Sequence, residues 1–120
     1  MGAVRVVVDE VDEAITALAG AGYVVAQRWG PPFAILSGPG PDLWVSGPAT
    51  SAARSSSELP ADLREAGAVR PVLEMDDVGP AVEALLATGW SPASGLVEGP
   101  GGAQQLMRHG SLVVEVFARG

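Results

Sequence analysis

Two side chains near the end of the chain have the chemistry to hold a metal ion or to move a proton. His109, the only histidine, and Glu115 stand six residues apart in M107-R-H-G-S-L-V-V-E-V-F117. Histidine and carboxylate converging on one point make a common divalent-metal pair. The spacing argues against it here. H109-G-S reads as the tight link between two strands, and Glu115 falls well along the second of them. Fully extended, that separation is roughly 20 Å, too far to share one ion. A lone histidine in a turn is more often an exposed polar residue than a ligand. Nucleophilic catalysis has no better footing, because there is no cysteine and no histidine on a strand to activate a serine. G99-P-G-G and G38-P-G-P are rich in glycine, but no helix follows either, so hairpin turns fit them better than phosphate cradles.

The elements that position these residues emerge from an internal repeat. V8-D-E-V-D-E-A-I-T-A-L-A-G-A-G-Y23 aligns without a gap on M75-D-D-V-G-P-A-V-E-A-L-L-A-T-G-W90. Asp9 meets Asp76, Val11 meets Val78, Ala14 meets Ala81, Leu18 meets Leu85, Gly22 meets Gly89 and Tyr23 meets Trp90. Backwards, Val4–Val8 pairs with Pro71–Met75. Forwards, after a small slip, D42-L-W-V-S46 lies over S111-L-V-V-E115. Each copy reads as strand, helix and three further strands. Val11, Ala14, Ile15 and Leu18 make one apolar helical stripe, and Val78, Ala81, Val82 and Leu85 repeat it. Gly22 and Gly89 fall where a helix should stop. The expected strands of the first copy are 24–29, 33–36 and 43–45; those of the second are 94–97, 103–107 and 112–117. The fold class is therefore α+β, with two tandem βαβββ modules forming a pseudo-two-fold cleft. Residues 1–120 read as a single domain, with module one at 1–47, a linker or flap at 48–68, and module two at 69–120.

Composition narrows the function classes. At 120 residues, 48% apolar and 18% charged, the chain describes one compact core. A formal net charge of −7 argues against a nucleic-acid partner. It would suit a cationic ligand, although acidity also simply keeps a protein dispersed. No apolar run approaches the ~20 residues that span a bilayer, so no membrane partner is expected. M1-G-A-V-R-V-V-V-D meets acidic residues too soon for a signal peptide, and the absence of cysteine makes a cytoplasmic location the default.

The strings V-D-E-V-D-E-A-I, D42-L-W-V-S-G-P, R70-P-V-L-E-M-D-D-V78, G99-P-G-G-A-Q-Q-L and the closing V-E-V-F resemble the vicinal oxygen chelate superfamily. That superfamily includes glyoxalase I, extradiol dioxygenases and the bleomycin-resistance proteins. The likeness covers nearly the whole chain and is greatest to small two-module actinobacterial members. It implies metal-ligand positions early in the first strand and late in the last strand of each module. Here these fall on Ala3, Ser46, Arg70 and Glu115. Only Glu115 is a competent donor, whereas Ala3 offers none, Ser46 a weak neutral oxygen, and Arg70 a repelling charge. No metal site and no cofactor is expected.

Strand alternation then predicts what lines the cleft instead. Facing Ala3 and Arg70 inward brings Arg5, Val7, Val72 and Glu74 with them, while Val4, Val6, Val8, Pro71, Leu73 and Met75 pack on the helices. Facing Ser46 and Glu115 inward brings Trp44, Val113 and Phe117. Arg70 is expected to pair with Glu74 or Glu115, because an unpaired buried charge is costly. Trp29 is a second stacking candidate, and Trp90 reads as core. The binding residues expected are thus Trp44, Trp29, Arg5, Arg70, Ser46, Val113 and Phe117. The resemblance and this lining together imply a metal-independent protein that binds a small molecule, an aromatic or cationic antibiotic-like metabolite. The alternative is an isomerase, cyclase, lyase or dioxygenase-like enzyme of the same superfamily, with Glu115 or Glu74 as general base or with a displaced metal site. The resemblance also implies a homodimer, sometimes with exchanged modules, for which the 51–57 segment is long enough.

Overall fold

The computed structural model describes residues 2–48, 50 and 65–120, so most of the expected 48–68 linker lies outside the described residues. In the first module, β1 (Ala3–Val7) leads into α1 (Val11–Ala19), followed by β2 (Val24–Trp29), β3 (Phe33–Ser37) and β4 (Asp42–Ser46). Asp12 and Glu13 occupy the first turn of α1, where carboxylates complement the helix dipole. Gly22, at φ +96°, then turns the chain back toward the sheet in a conformation that side chains other than glycine rarely adopt. The second module repeats the order with β5 (Val69–Glu74), α2 (Val78–Ala87), β6 (Ser91–Pro92), β7 (Val97–Gly99), β8 (Gly102–His109) and β9 (Leu112–Arg119). Asp77 caps α2 by accepting from the Gly79 amide, and Pro80 sits in its first turn, where a missing N–H costs nothing.

The single strand expected at 94–97 is instead two short ones, β6 and β7, both antiparallel to β8. Pro92 has no amide to continue a ladder. Beyond it the chain bulges, and the Ser94 hydroxyl takes over as acceptor from the Leu106 amide at 2.9 Å. The backbone amides of Ala93 and Ser94 both donate to the Leu106 carbonyl.

All the strands form one sheet in the order β2-β3-β4-β1-β5-β9-β8-β6, with β7 also on β8. The modules meet at the antiparallel β1–β5 pair. Val4 faces Pro71 across that pair. These two residues are repeat equivalents, so the pseudo-two-fold axis passes between them. The sheet is strongly curled. Trp44 on β4 and Phe117 on β9 are three strand spacings apart, about 14 Å if flat, yet their ring centroids lie 5.0 Å apart.

Three apolar clusters result. On the convex side α1 closes Val11, Ala34, Leu36 and Val45, and α2 closes Val78, Val82, Met107, Val114 and Val116, with Trp90 packed against the second group. The third cluster, Ala3, Ile35, Trp44 and Val72 with Phe33 and Phe117, lies on the concave side. The expectation for the convex faces of β1 and β5 needs correction. Val8 and Leu73 do join the helix-covered clusters, but Pro71 and Met75 are exposed and Val4 and Val6 only half-buried. The helices sit over the outer strands of each module, which leaves the two middle strands partly open on that side.

Candidate functional site

Sheet register sets the centre of the concave face. Trp44, Arg5 and Arg70 are direct neighbours on β4, β1 and β5. Two arginines side by side repel, and like charges directly opposite destabilise a sheet. Glu115 on β9 resolves the conflict. Its Oε1 accepts from Arg5 Nε at 3.2 Å and from Arg70 Nε at 3.0 Å, and its Oε2 accepts from Arg5 Nη2 at 2.6 Å. Arg5 also donates to Ser46 Oγ at 2.9 Å and to Gln104 Oε1 at 3.3 Å. Arg5 and Arg70 are each 4% exposed and Glu115 is fully buried. The two cations share one carboxylate, and the shared ion pair with its hydrogen bonds offsets part of the cost of burial. Among the described residues no buried side-chain nitrogen or oxygen lacks a partner. Burial pushes the Arg70 guanidinium below its ordinary value; Glu115 opposes that shift, whereas the neighbouring Arg5 adds to it. It remains a cation throughout the range in which proteins fold.

Around the triad runs a row of aromatic rings. The Arg5 guanidinium carbon lies 5.1 Å from the Trp44 ring centroid and 5.4 Å from that of Phe33, both within cation–π range. Trp44 meets Phe33 (6.4 Å) and Phe117 (5.0 Å) edge to face. Trp29 tilts against Phe33 at 5.2 Å and is 48% exposed, whereas Trp44 is buried. The row therefore climbs from a buried floor at Trp44, through half-buried Phe33, to an open end at Trp29.

The structure brings Arg5, Ser46, Arg70, Glu115, Trp44 and Phe117 into one contiguous centre, with Trp29 joined through Phe33. Two expected residues lie apart from it. Val113 is half-buried opposite Arg108 and belongs to none of the three clusters. Glu74 stands nearer the rim and pairs with Arg119 at 2.9 Å, not with Arg70, whose carboxylate partner here is Glu115. The six-residue distance argument about His109 also needs correction. His109 is opposite Leu112 and Leu106 is opposite Glu115 on adjacent strands, so the offset is three residues, about 10 Å. What separates the pair is the sheet itself. Glu115 points to the concave side, while His109 ends β8 on the other side with its ring 5.6 Å from Trp90.

Of the four positions that the resemblance assigns to metal ligands, only Glu115 carries a donor fit for a divalent ion, and both its oxygens are engaged by guanidinium groups. The described residues contain no group of three or more histidine, cysteine, aspartate or glutamate side chains that could hold a metal ion. The described residues at these four positions do not fit a metal.

Phe33, Gln104 and Arg119 are site neighbours that the sequence reading passed over. Gln104 left a signal: adjacent glutamines in the alternating strand A-Q-Q-L-M put one on each face, and one face was to be buried. Arg119 was missed because β9 was expected to end at Phe117; two more strand residues return a side chain to the concave face.

No protein-family model and no curated protein matches the sequence. Solved structures do match the fold. A methylmalonyl-CoA epimerase from Mycobacterium tuberculosis superposes with a TM-score of 0.69 at 14% identity, covering 98% of this chain and 86% of that one. A glyoxalase/bleomycin resistance protein/dioxygenase superfamily member from Vibrio splendidus 12B01 gives 0.57 at 10% identity, over 100% and 98% of the two chains. A protein from Legionella pneumophila, an NAD-dependent benzaldehyde dehydrogenase, gives 0.71 at 10% identity over the full length of both. The chain thus has the glyoxalase/bleomycin resistance/dioxygenase fold, as the repeat and the sequence strings implied. The names of these neighbours span different chemistries, so their likeness bears on architecture and not on activity. Among the described residues no helix is long and apolar enough to cross a membrane.

Proposed function

We propose that this protein binds a planar aromatic small molecule without a metal, holding it against the concave face of the sheet. One observation carries the reading: an aromatic row leads from the closed Arg5–Glu115–Arg70 centre outward to a half-exposed Trp29. An exposed indole beside a phenyl ring offers a stacking platform whose rigid rings lose little entropy on binding. Concave, mostly apolar surfaces with a few fixed polar groups are where small ligands bind. Trp44 and the ion triad form the floor and fix its shape.

Sequestration fits this geometry better than turnover. A general base needs a free oxygen within reach of substrate, and Glu115 has neither a free oxygen nor exposed surface. A cationic ligand also fits poorly, because the Arg5 and Arg119 guanidinium groups already lie against Trp44.

The test is a titration with planar aromatic compounds of two and three fused rings, followed by tryptophan fluorescence and calorimetry. Saturable binding that Trp29→Ala weakens about tenfold is expected, since base-on-aromatic stacking is worth roughly 1–3 kcal/mol per ring in comparable platforms. Absence of saturable binding across the panel overturns the proposal. Turnover of a bound compound that Glu115→Gln abolishes while the fold is retained would favour the enzyme reading instead.

A further inference from the structure

The aromatic platform accommodates a neutral or an anionic ligand, and a residue at the rim separates the two. We propose that Arg119 is an anion anchor, and that the ligand is a planar aromatic acid whose carboxylate docks on its guanidinium. This inference rests on the aromatic-binding reading and adds the substrate class to it.

Arg119 is the last residue of β9, two strand positions beyond Phe117, and is 57% exposed in its side chain. It is nevertheless held at two points. Its Nε donates to Glu74 Oε2 at 2.9 Å, and its guanidinium carbon lies 5.6 Å from the Trp44 ring centroid. Sheet register supplies the first hold, because Glu74 on β5 is the direct neighbour of Phe117. The second comes from the curl that brings β4 under β9. With Nε taken by Glu74, the fork of Nη1 and Nη2 has no hydrogen-bond partner among the described residues, and more than half of the side chain is exposed. That fork matches the two oxygens of a carboxylate, and a guanidinium already fixed in plane has less freedom to lose on binding.

The other arginines of the concave face are closed off where Arg119 is not. Arg5, Arg70 and Arg119 gather there with their partner carboxylates Glu115 and Glu74, but the side chains of Arg5 and Arg70 are 5% and 4% exposed and that of Arg119 is 57% exposed. An ordinary rim ion pair between Arg119 and Glu74 would not need the contact with Trp44.

Naphthoate, its neutral amide naphthamide, and the cation naphthylmethylammonium share one ring system and differ in charge. Isothermal titration of each against the full chain, its Arg119→Gln variant and its Glu74→Gln variant tests the assignment, with circular dichroism confirming the fold. Naphthoate should bind at least about tenfold more tightly than naphthamide, the effect expected of a charge-assisted hydrogen-bonded pair. Arg119→Gln should abolish that preference, weakening naphthoate by about tenfold or more and naphthamide much less. Glu74→Gln should reduce naphthoate affinity although it removes a negative charge, because Glu74 positions the anchor. Equal binding of naphthoate and naphthamide, or a preference that survives Arg119→Gln, overturns the anchor while leaving the aromatic platform standing. Failure of all three probes overturns both readings, and tighter binding of the cation reverses the assigned charge.

Discussion

Replacing Glu115 by glutamine should be the most damaging isosteric change in this chain. The substitution keeps the volume and one carbonyl acceptor but removes the negative charge shared by Arg5 and Arg70. Those two guanidinium groups, each 4% exposed, are direct neighbours in the β1–β5 ladder. Three charge-assisted hydrogen bonds of 2.6, 3.0 and 3.2 Å converge on the carboxylate. Each is worth about 1.5–3 kcal/mol when made to a charged group, but desolvation of the three ions offsets much of that sum. Breaking a buried pair by removing one partner costs about 3–5 kcal/mol. That is a large share of the roughly 5–15 kcal/mol that holds a domain of this kind folded. Urea unfolding followed by tryptophan fluorescence and far-ultraviolet circular dichroism reads the loss directly. A companion variant sharpens the test. Changing Arg5 and Arg70 to methionine and Glu115 to leucine removes all three charges together, and apolar replacement of a whole buried triad is commonly neutral or stabilising. The triple variant should therefore be more stable than Glu115→Gln alone. A loss below about 1 kcal/mol for Glu115→Gln, the scale of an exposed pair, would refute the reasoning. So would a triple variant that is less stable than the single one.

Four further outcomes follow from other elements. Asp77→Ala removes the side-chain acceptor at the start of α2 and should cost about 1 kcal/mol in thermal or urea unfolding. Gly102→Ala places a Cβ against the Ala118 carbonyl oxygen at φ +147°, so the β8–β9 ladder must shift; a loss of at least about 1–3 kcal/mol is expected in the same assay. Zinc, nickel or manganese added to dialysed protein should leave its melting temperature unchanged, and His109→Ala should cost no more than about 0.5–1.5 kcal/mol, the value of one ring contact with Trp90. A metal-dependent rise in melting temperature that Glu115→Gln abolishes would contradict the site described above.

The order of elements was legible because the repeat is nearly gapless and each copy carries its own helical stripe and terminating glycine. Strand alternation was equally informative on β1, β4, β5 and β9, where a single register decides which face each side chain takes. Two kinds of feature were not legible. One is sheet curl: nothing in the pattern of single residues brings Trp44 and Phe117 into contact across two intervening strands. The other is how far a helix reaches over the sheet, which left Pro71 and Met75 exposed where alternation alone assigned them to a core. The error over His109 has a similar origin. Distance along one extended strand was applied to residues on two adjacent strands, where the turn halves the separation and the face becomes decisive.

On the proposed reading, the ion triad favours binding over chemistry. A divalent ion stabilises a carboxylate and can still keep a coordination position open for substrate oxygen. A guanidinium supplies positive charge too, but only through directed N–H groups, and each one spent on the protein is lost to the ligand. Arg5 spends Nε and Nη2 on Glu115, Nη2 also on Gln104, and Nη1 on Ser46. Its remaining surface faces the rings of Trp44 and Phe33. The centre is therefore held by directed hydrogen bonds within the protein, which suits it to shaping a floor on the proposed reading. On that reading recognition falls to the periphery, where Trp29 and Arg119 are still partly in water.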